Sequence, residues 1–249
     1  MLVDIIPTIK DFSAPEIYGK TVIVLDIFRC TSTVVTALAN GCRKIVPVSD
    51  YEEALSLAKK LDRESCMVAG EVYGTKPPDF DLGNSPLEFT PETIAGKTVI
   101  LLTTNGTKAI KHSKPAKNVL IGSFLNLNAV CSRALGFQKD ITIICSGTRG
   151  NIALEDVLAA GCHVAELVEH CQEIRLSELS KTFYFLYEYF KGDLTHLLSA
   201  ARSGVRLQKY GCEDDIGFCL QKDRFRVVPV FKYNSIKLSQ SIDLHILNR

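Results

Sequence analysis

Apolar runs at 22–26, 45–48, 67–69, 99–102, 119–121 and 141–145 alternate with stretches at 32–40, 51–61, 106–112, 126–135 and 152–171, in which apolar residues return every three to four positions. Short apolar runs closed by polar residues predict buried strands, and the longer period predicts helices. Their alternation predicts right-handed βαβ units and a mainly parallel sheet covered on both faces, an α/β protein. Between Gly70 and Pro86 neither period holds, which predicts a long loop of the kind that often carries function. Thr90-Pro91-Glu92-Thr93 reads as a helix start, with a Thr cap, Pro at the first helical position and an acid in the first turn. From Ser177 the pattern is helical and aromatic (Phe183, Tyr184, Phe185, Tyr187, Tyr189, Phe190), a packed helix or else a contact within a homo-oligomer. Val227-Val228-Pro229-Val230 reads as an edge strand, because Pro lacks a ladder donor, and 231–249 as a tail.

One pentapeptide occurs twice. Gly19-Lys20-Thr21-Val22-Ile23 returns at Gly96-Lys97-Thr98-Val99-Ile100, and each copy runs into a polar cluster followed by a helical pattern. The correspondence continues: Val48-Ser49 and Glu53-Ala54 have counterparts in Gly122-Ser123 and Asn128-Ala129. The chain therefore reads as one domain over 1–230, containing two related βαβ halves, 19–95 and 96–175, and a helical C-terminal segment. Each repeated strand delivers its C-terminal end to a helix N-terminus, where free N–H groups and the positive dipole end favour an anion.

Composition narrows the ligand. The 46% hydrophobic content is ample for a core, and 29 basic against 28 acidic residues give no excess positive charge for a nucleic-acid backbone. A small ligand is expected, with no nucleic-acid partner. The nine cysteines are odd in number, scattered, and form no Cys-x-x-Cys pair, so reduced and mostly buried thiols are expected. The opening run Met1 to Pro7 is short and broken by Asp4, unlike a signal peptide's core, and no run reaches the roughly 18 apolar residues of a membrane span. A cytoplasmic protein without a membrane partner is the expectation.

The candidate chemistry lies at predicted strand ends, where ligands bind in parallel α/β sheets. Asp26 and Arg29 follow the first repeated strand. Arg offers a rigid fork to phosphate and Asp a hard oxygen to Mg²⁺, although a helix cap and a surface ion pair would account for the same residues. Asp81 with Asn84-Ser85 sits on the central loop, as an Asx-type turn or as ligand groups. Thr103-Thr104-Asn105-Gly106-Thr107 follows the second repeated strand, and Ser146-Gly147 with Glu155-Asp156 follows the run 141–145. Each cluster has a capping explanation; their joint placement favours a site.

The runs Leu25-Asp26-Ile27-Phe28-Arg29-Cys30-Thr31-Ser32-Thr33, Phe80-Asp81-Leu82-Gly83-Asn84-Ser85-Pro86, Gly122-Ser123-Phe124-Leu125-Asn126 and Thr103 to Thr107, with Leu154-Glu155-Asp156 after Cys145-Ser146-Gly147, resemble the signature blocks of the 2-phosphosulfolactate phosphatases. The resemblance spans about residues 1–230. It implies a three-layer α/β/α fold and a Mg²⁺-dependent phosphatase that makes sulfolactate on the route to coenzyme M. The chain departs from that pattern at Val72, where Gly-Glu-Arg is usual, and at Cys30, where Ala is usual.

The combined reading is a Mg²⁺-assisted hydrolase of a small anionic phosphate monoester. Asp26, Arg29, Glu71 and Asp81 are its candidate catalytic residues. Thr31, Ser32, Asn84, Ser85, Thr104, Asn105, Gly106, Thr107, Ser146 and Gly147 are candidates for holding the phosphate or the rest of the substrate. Asp26, Glu71, Asp81, Glu155 and Asp156 are candidates for the metal. Attack by water and formation of an acyl phosphate are both open, as are another phosphorylated hydroxy acid as substrate and a non-catalytic anion-binding module.

Overall fold

The computed structural model describes residues 1–239. Its elements run β1 (Leu2–Ile6), β2 (Thr21–Leu25), α1 (Cys30–Ala39), β3 (Lys44–Val48), α2 (Tyr51–Ala58), β4 (Cys66–Gly70), α3 (Pro91–Ile94), β5 (Thr98–Leu102), α4 (Gly106–His112), β6 (Asn118–Gly122), α5 (Leu127–Gly136) and β7 (Ile141–Cys145). There follow α6 (Leu154–His170), β8 (Arg175–Leu176), α7 (Glu178–Phe190), α8 (Leu194–Ala200), α9 (Arg202–Lys209), α10 (Asp214–Cys219), β9 (Pro229–Lys232) and β10 (Ser235–Leu238). The six strands and five helices expected from periodicity are all present, within a few residues of their expected ends.

All ten strands join one mixed, mostly parallel sheet in the order β4-β5-β3-β10-β9-β6-β2-β7-β1-β8. β4, β5 and β3 are parallel to one another, as are β6, β2, β7, β1 and β8. The β9–β10 hairpin is antiparallel to its neighbours β6 and β3, so the two parallel groups run in opposite senses. The repeated strands are exchanged. β2 lies between β6 and β7, while β5 lies between β3 and β4, with Thr21 level with Asn118 and Ile141, and Thr98 level with Lys44 and Cys66. Residues 19–95 and 96–175 therefore do not close as separate βαβ units; each lends its first strand to the other.

The central strands β2, β5 and β7 are fully buried and mostly apolar because both faces are covered. In β2, Ile23 and Leu25 face a core shared with α5 and α6, while Val22 and Val24 face one shared with α1 and α4. Three expectations are corrected. β9 is an interior strand, with Pro229 tolerated at its first position, where the missing donor costs least. Within the supposed tail, β10 pairs with β9 and β3; residues 240–249 lie outside the described residues. The hairpin turns at Tyr233 and Asn234, both at positive φ, as a two-residue primed turn requires, yet without the usual Asn-Gly signal. Met1 to Pro7, read only as a broken apolar run, forms β1 against β7 and β8.

His163, within α6, is fully buried; its Nδ1–H donates to the Ala159 carbonyl (2.7 Å) and Nε2 has no partner. Burial pushes this imidazole down to about 4 from 6.5. An unfolded chain takes up the proton near pH 6.5, whereas the folded one resists until about pH 4, so stability is whole above pH 6.5 and falls as pH drops through this window. Between pH 7.5 and 4.5 the wild type should lose about 2.5 kcal/mol more than His163→Phe, as read by urea unfolding of both. Equal losses would overturn the assignment.

Candidate active site

Asp26 ends β2 between two helix starts. The Cys30 N–H of α1 donates to Asp26 Oδ1 (3.2 Å), and Thr31 closes the turn with its hydroxyl donating to the Asp26 carbonyl and accepting from the Asp26 N–H (both 3.0 Å). From the other parallel group comes α4, whose first residue is Gly106. A Cβ there would lie 2.6 Å from Asp26 Oδ2 and 2.4 Å from Cys30 Cβ, so only glycine permits this approach. Thr103 and Thr107 repeat the Asp26–Thr31 motif at the end of β5: the Thr107 N–H donates to Thr103 Oγ1 (2.9 Å), and the Thr107 hydroxyl donates to the Thr103 carbonyl (3.0 Å).

Around this junction opens a narrow cleft, lined among others by Asp26, Arg29, Glu71, Asn84, Thr103, Asn105, Ser146, Gly147, Glu155, Asp156 and Arg206. Four carboxylates converge there. Burial first, then Glu71 and Glu155, push Asp26 up to about 6 against the opposing hydrogen bonds of Ser146 and Cys30. Burial, Asp26 and Glu155 push Asp156 well above the ordinary carboxylate range, and burial pushes Glu155 up against the pull of Ser203, Arg206 and Arg202. Burial and the neighbouring Asp26 likewise push up the Cys30 thiol, which disfavours its thiolate.

Two of the carboxylates have both oxygens engaged in tying loops together. Asp156 accepts from the Ile27 N–H (2.9 Å), the Gly147 N–H (3.1 Å) and the Ser146 hydroxyl (3.2 Å), fastening the loop after β7 to the end of β2. Glu71 accepts from the Thr104 N–H (2.7 Å), the Thr104 hydroxyl (2.9 Å) and the Gly74 N–H. Asp26 and Glu155 are less encumbered.

Other expected residues serve elsewhere. Asp81 lies outside the cleft, at the far side of β4, accepting from Arg63 (2.6 Å) and the Val68 N–H (2.8 Å). The Thr31 and Ser32 hydroxyls are buried and spent on backbone, Ser32 on the Ile27 carbonyl (3.0 Å). The Ser85 hydroxyl donates to Asp215 (2.5 Å), and Thr107 closes its own turn. Val72 is 38% exposed and does not line the cleft. Asn84 does line it, 5% exposed, with Oδ1 unpartnered.

The C-terminal segment supplies what sequence reasoning missed. Arg29 donates to Asp215 of α10 (2.7 Å) in a buried ion pair, and Asp215 also holds Ser85. Arg206 and Leu207 of α9, with Tyr210 just beyond its end, form one wall of the cleft. The only available signal was Asp214-Asp215 at a helix start, indistinguishable from ordinary first-turn acids.

The donor set is all hard oxygen, which suits Mg²⁺. Among the described residues, no three His, Cys, Asp or Glu side chains are grouped so as to hold an ion. Asp26 and Glu155 alone would match the habit of Mg²⁺, which often takes one or two carboxylates and completes its shell with water and substrate phosphate. None of the described helices is long and apolar enough to cross a membrane.

The model of the 2-phosphosulpholactate phosphatase family matches residues 8–234. A protein of Caldanaerobacter subterraneus subsp. tengcongensis, named as a probable 2-phosphosulfolactate phosphatase, is 39% identical over 233 residues, 94% of this chain and 96% of its own. Proteins of the same name from Clostridium novyi and Clostridium beijerinckii are 36% and 35% identical, each over 95% of this chain and 99% of theirs. With a match that takes in β2, β5, β7 and the helices walling the cleft, the chain belongs to the 2-phosphosulpholactate phosphatase family.

Proposed function

We propose that the protein hydrolyses the phosphate monoester of 2-phosphosulfolactate to sulfolactate and phosphate, with Mg²⁺ as cofactor. The observation that carries this reading is the buried carboxylate cluster around Asp26, flanked by Arg29, in a cleft made where two parallel strand groups meet. We propose further that the fold is a three-layer α/β/α arrangement of two exchanged halves that arose by duplication.

Mg²⁺ held by Asp26 and Glu155 would supply charge neutralisation at the phosphoryl oxygens. The rest of the mechanism belongs to the chain. Arg29, its guanidinium braced by Asp215, donates to the phosphoryl group and stabilises charge that grows in the transition state. Asp26 must be ionised to serve there, whether it orients the attacking water or receives the phosphoryl group itself. Asp156 and Glu71 act through backbone, holding the loops after β7 and β4 in place, and Gly106 admits the start of α4 beside Asp26.

Activity should vanish in EDTA and return with Mg²⁺. Since burial and like charges hold Asp26 near 6, the acid limb of kcat/KM should fall near that pH at low Mg²⁺. A cation favours the ionised form, so the limb should move to lower pH as Mg²⁺ rises. Rates measured across pH at two Mg²⁺ concentrations test this; a limb that stays put removes Asp26 from the metal.

Arg29→Lys keeps a charge opposite Asp215 but loses the fork, and should cut kcat by about two orders of magnitude with little change in melting temperature. Arg29→Ala strands Asp215 and should additionally cost roughly 3–5 kcal/mol of stability. A melting temperature that falls in Arg29→Lys at full kcat would make the pair structural only.

Gly106→Ala forces α4 away from Asp26 and should lower kcat by roughly one to two orders of magnitude, as misplacement by about 1 Å does. Wild-type kcat in that variant would show that the close approach is dispensable.

A further inference from the structure

The cleft's charges do not balance. Asp26, Glu71, Glu155 and Asp156 line it, and the lining cations are Arg29 and Arg206. Arg29 is committed to Asp215. The Arg206 guanidinium makes no ion pair and no hydrogen bond among the described residues; the Arg206 carbonyl accepts from the Tyr210 N–H. It faces Glu155 only at longer range. Its setting is fixed by packing. At Gly204, two residues before Arg206 in α9, a Cβ would lie 2.0 Å from the Leu198 carbonyl oxygen, so α9 lies flush against the end of α8 and cannot rotate. That orientation turns Arg206, Leu207 and Tyr210 to the cleft while burying Ser203 and Gly204.

A second group in the same cleft is also unspent. The Asn84 amide is nine-tenths buried with its oxygen unpartnered, a costly state for a polar atom unless a ligand completes it. An amide can present either its oxygen or its two N–H donors. The idle cation and the idle amide both await a polar, anionic ligand group other than the phosphoryl group that Arg29 addresses.

We propose that Arg206 is a specificity-determining residue, receiving the substrate's non-transferred anion, carboxylate or sulfonate, with Asn84 completing the subsite. This rests on the phosphatase reading above. A guanidinium fork matches either group bidentately.

The test compares kcat/KM for 2-phosphosulfolactate, 2-phospholactate and phenyl phosphate in wild type, Arg206→Gln and Arg206→Lys. In Arg206→Gln the ratio of 2-phosphosulfolactate to phenyl phosphate should fall about ten- to hundredfold, mainly through KM, as expected for loss of one charge-assisted contact. Arg206→Lys should recover part of it. A comparable fall for 2-phospholactate assigns the carboxylate; a fall confined to 2-phosphosulfolactate assigns the sulfonate. An unchanged ratio overturns the proposal. If the wild type turns over none of the esters, the phosphatase reading fails by itself, and sulfolactate binding by calorimetry still judges Arg206. Binding at least tenfold weaker in Arg206→Gln supports the subsite, and equal binding overturns it.

Discussion

Gathering four carboxylates in one cleft, with Asp26, Glu155 and Asp156 buried, is the constraint around which the structure is arranged. A desolvated charge is costly unless it is paired or hydrogen-bonded, and neighbours of the same sign add to the cost. Each acid is answered differently. Asp156 and Glu71 are each saturated with hydrogen bonds, largely from backbone N–H groups, and in accepting them they fasten three loops together. Asp26 has the Cys30 N–H, the Ser146 hydroxyl and a glycine-lined approach, and Glu155 has Ser203 and the more distant arginines of α9. Asp26 and Glu155 are thus the carboxylates with the least compensation, and perturbed groups of this kind are candidates for function.

The placement of β2 beside β6 and β7, and of β5 beside β3 and β4, shapes the cleft. It puts the end of β2 against the start of α4, where Gly106 meets Asp26 and Cys30. The β9–β10 hairpin then joins the two parallel groups into one sheet, so the last described residues of the chain hold its middle together.

The C-terminal helices make the site asymmetric. The repeated units supply backbone turns and carboxylates, whereas the partner of Arg29 and the uncommitted Arg206 come from α10 and α9. The cleft thereby gains a wall with its own charge pattern.

Local sequence determined the strands and helices of the two repeats, because their signal is periodic burial and each central strand is apolar on both faces. It also determined that Asp26, Asn105, Ser146 and Glu155 stand at strand ends or helix starts, because those positions follow from chain order alone. It did not determine which strands are neighbours. GKTVI is the same in both copies, so either could have filled either slot, and only the packing of β2 between β6 and β7 decided. Nor did it separate Asp81, which serves Arg63 and Val68, from Glu71, which lines the cleft, since both lie on one aperiodic loop. The partnership of Arg29 with Asp215 spans 186 residues. Such a pairing leaves no local trace, because an ion pair depends on where tertiary packing brings two side chains together, and periodicity records only which face of an element is buried.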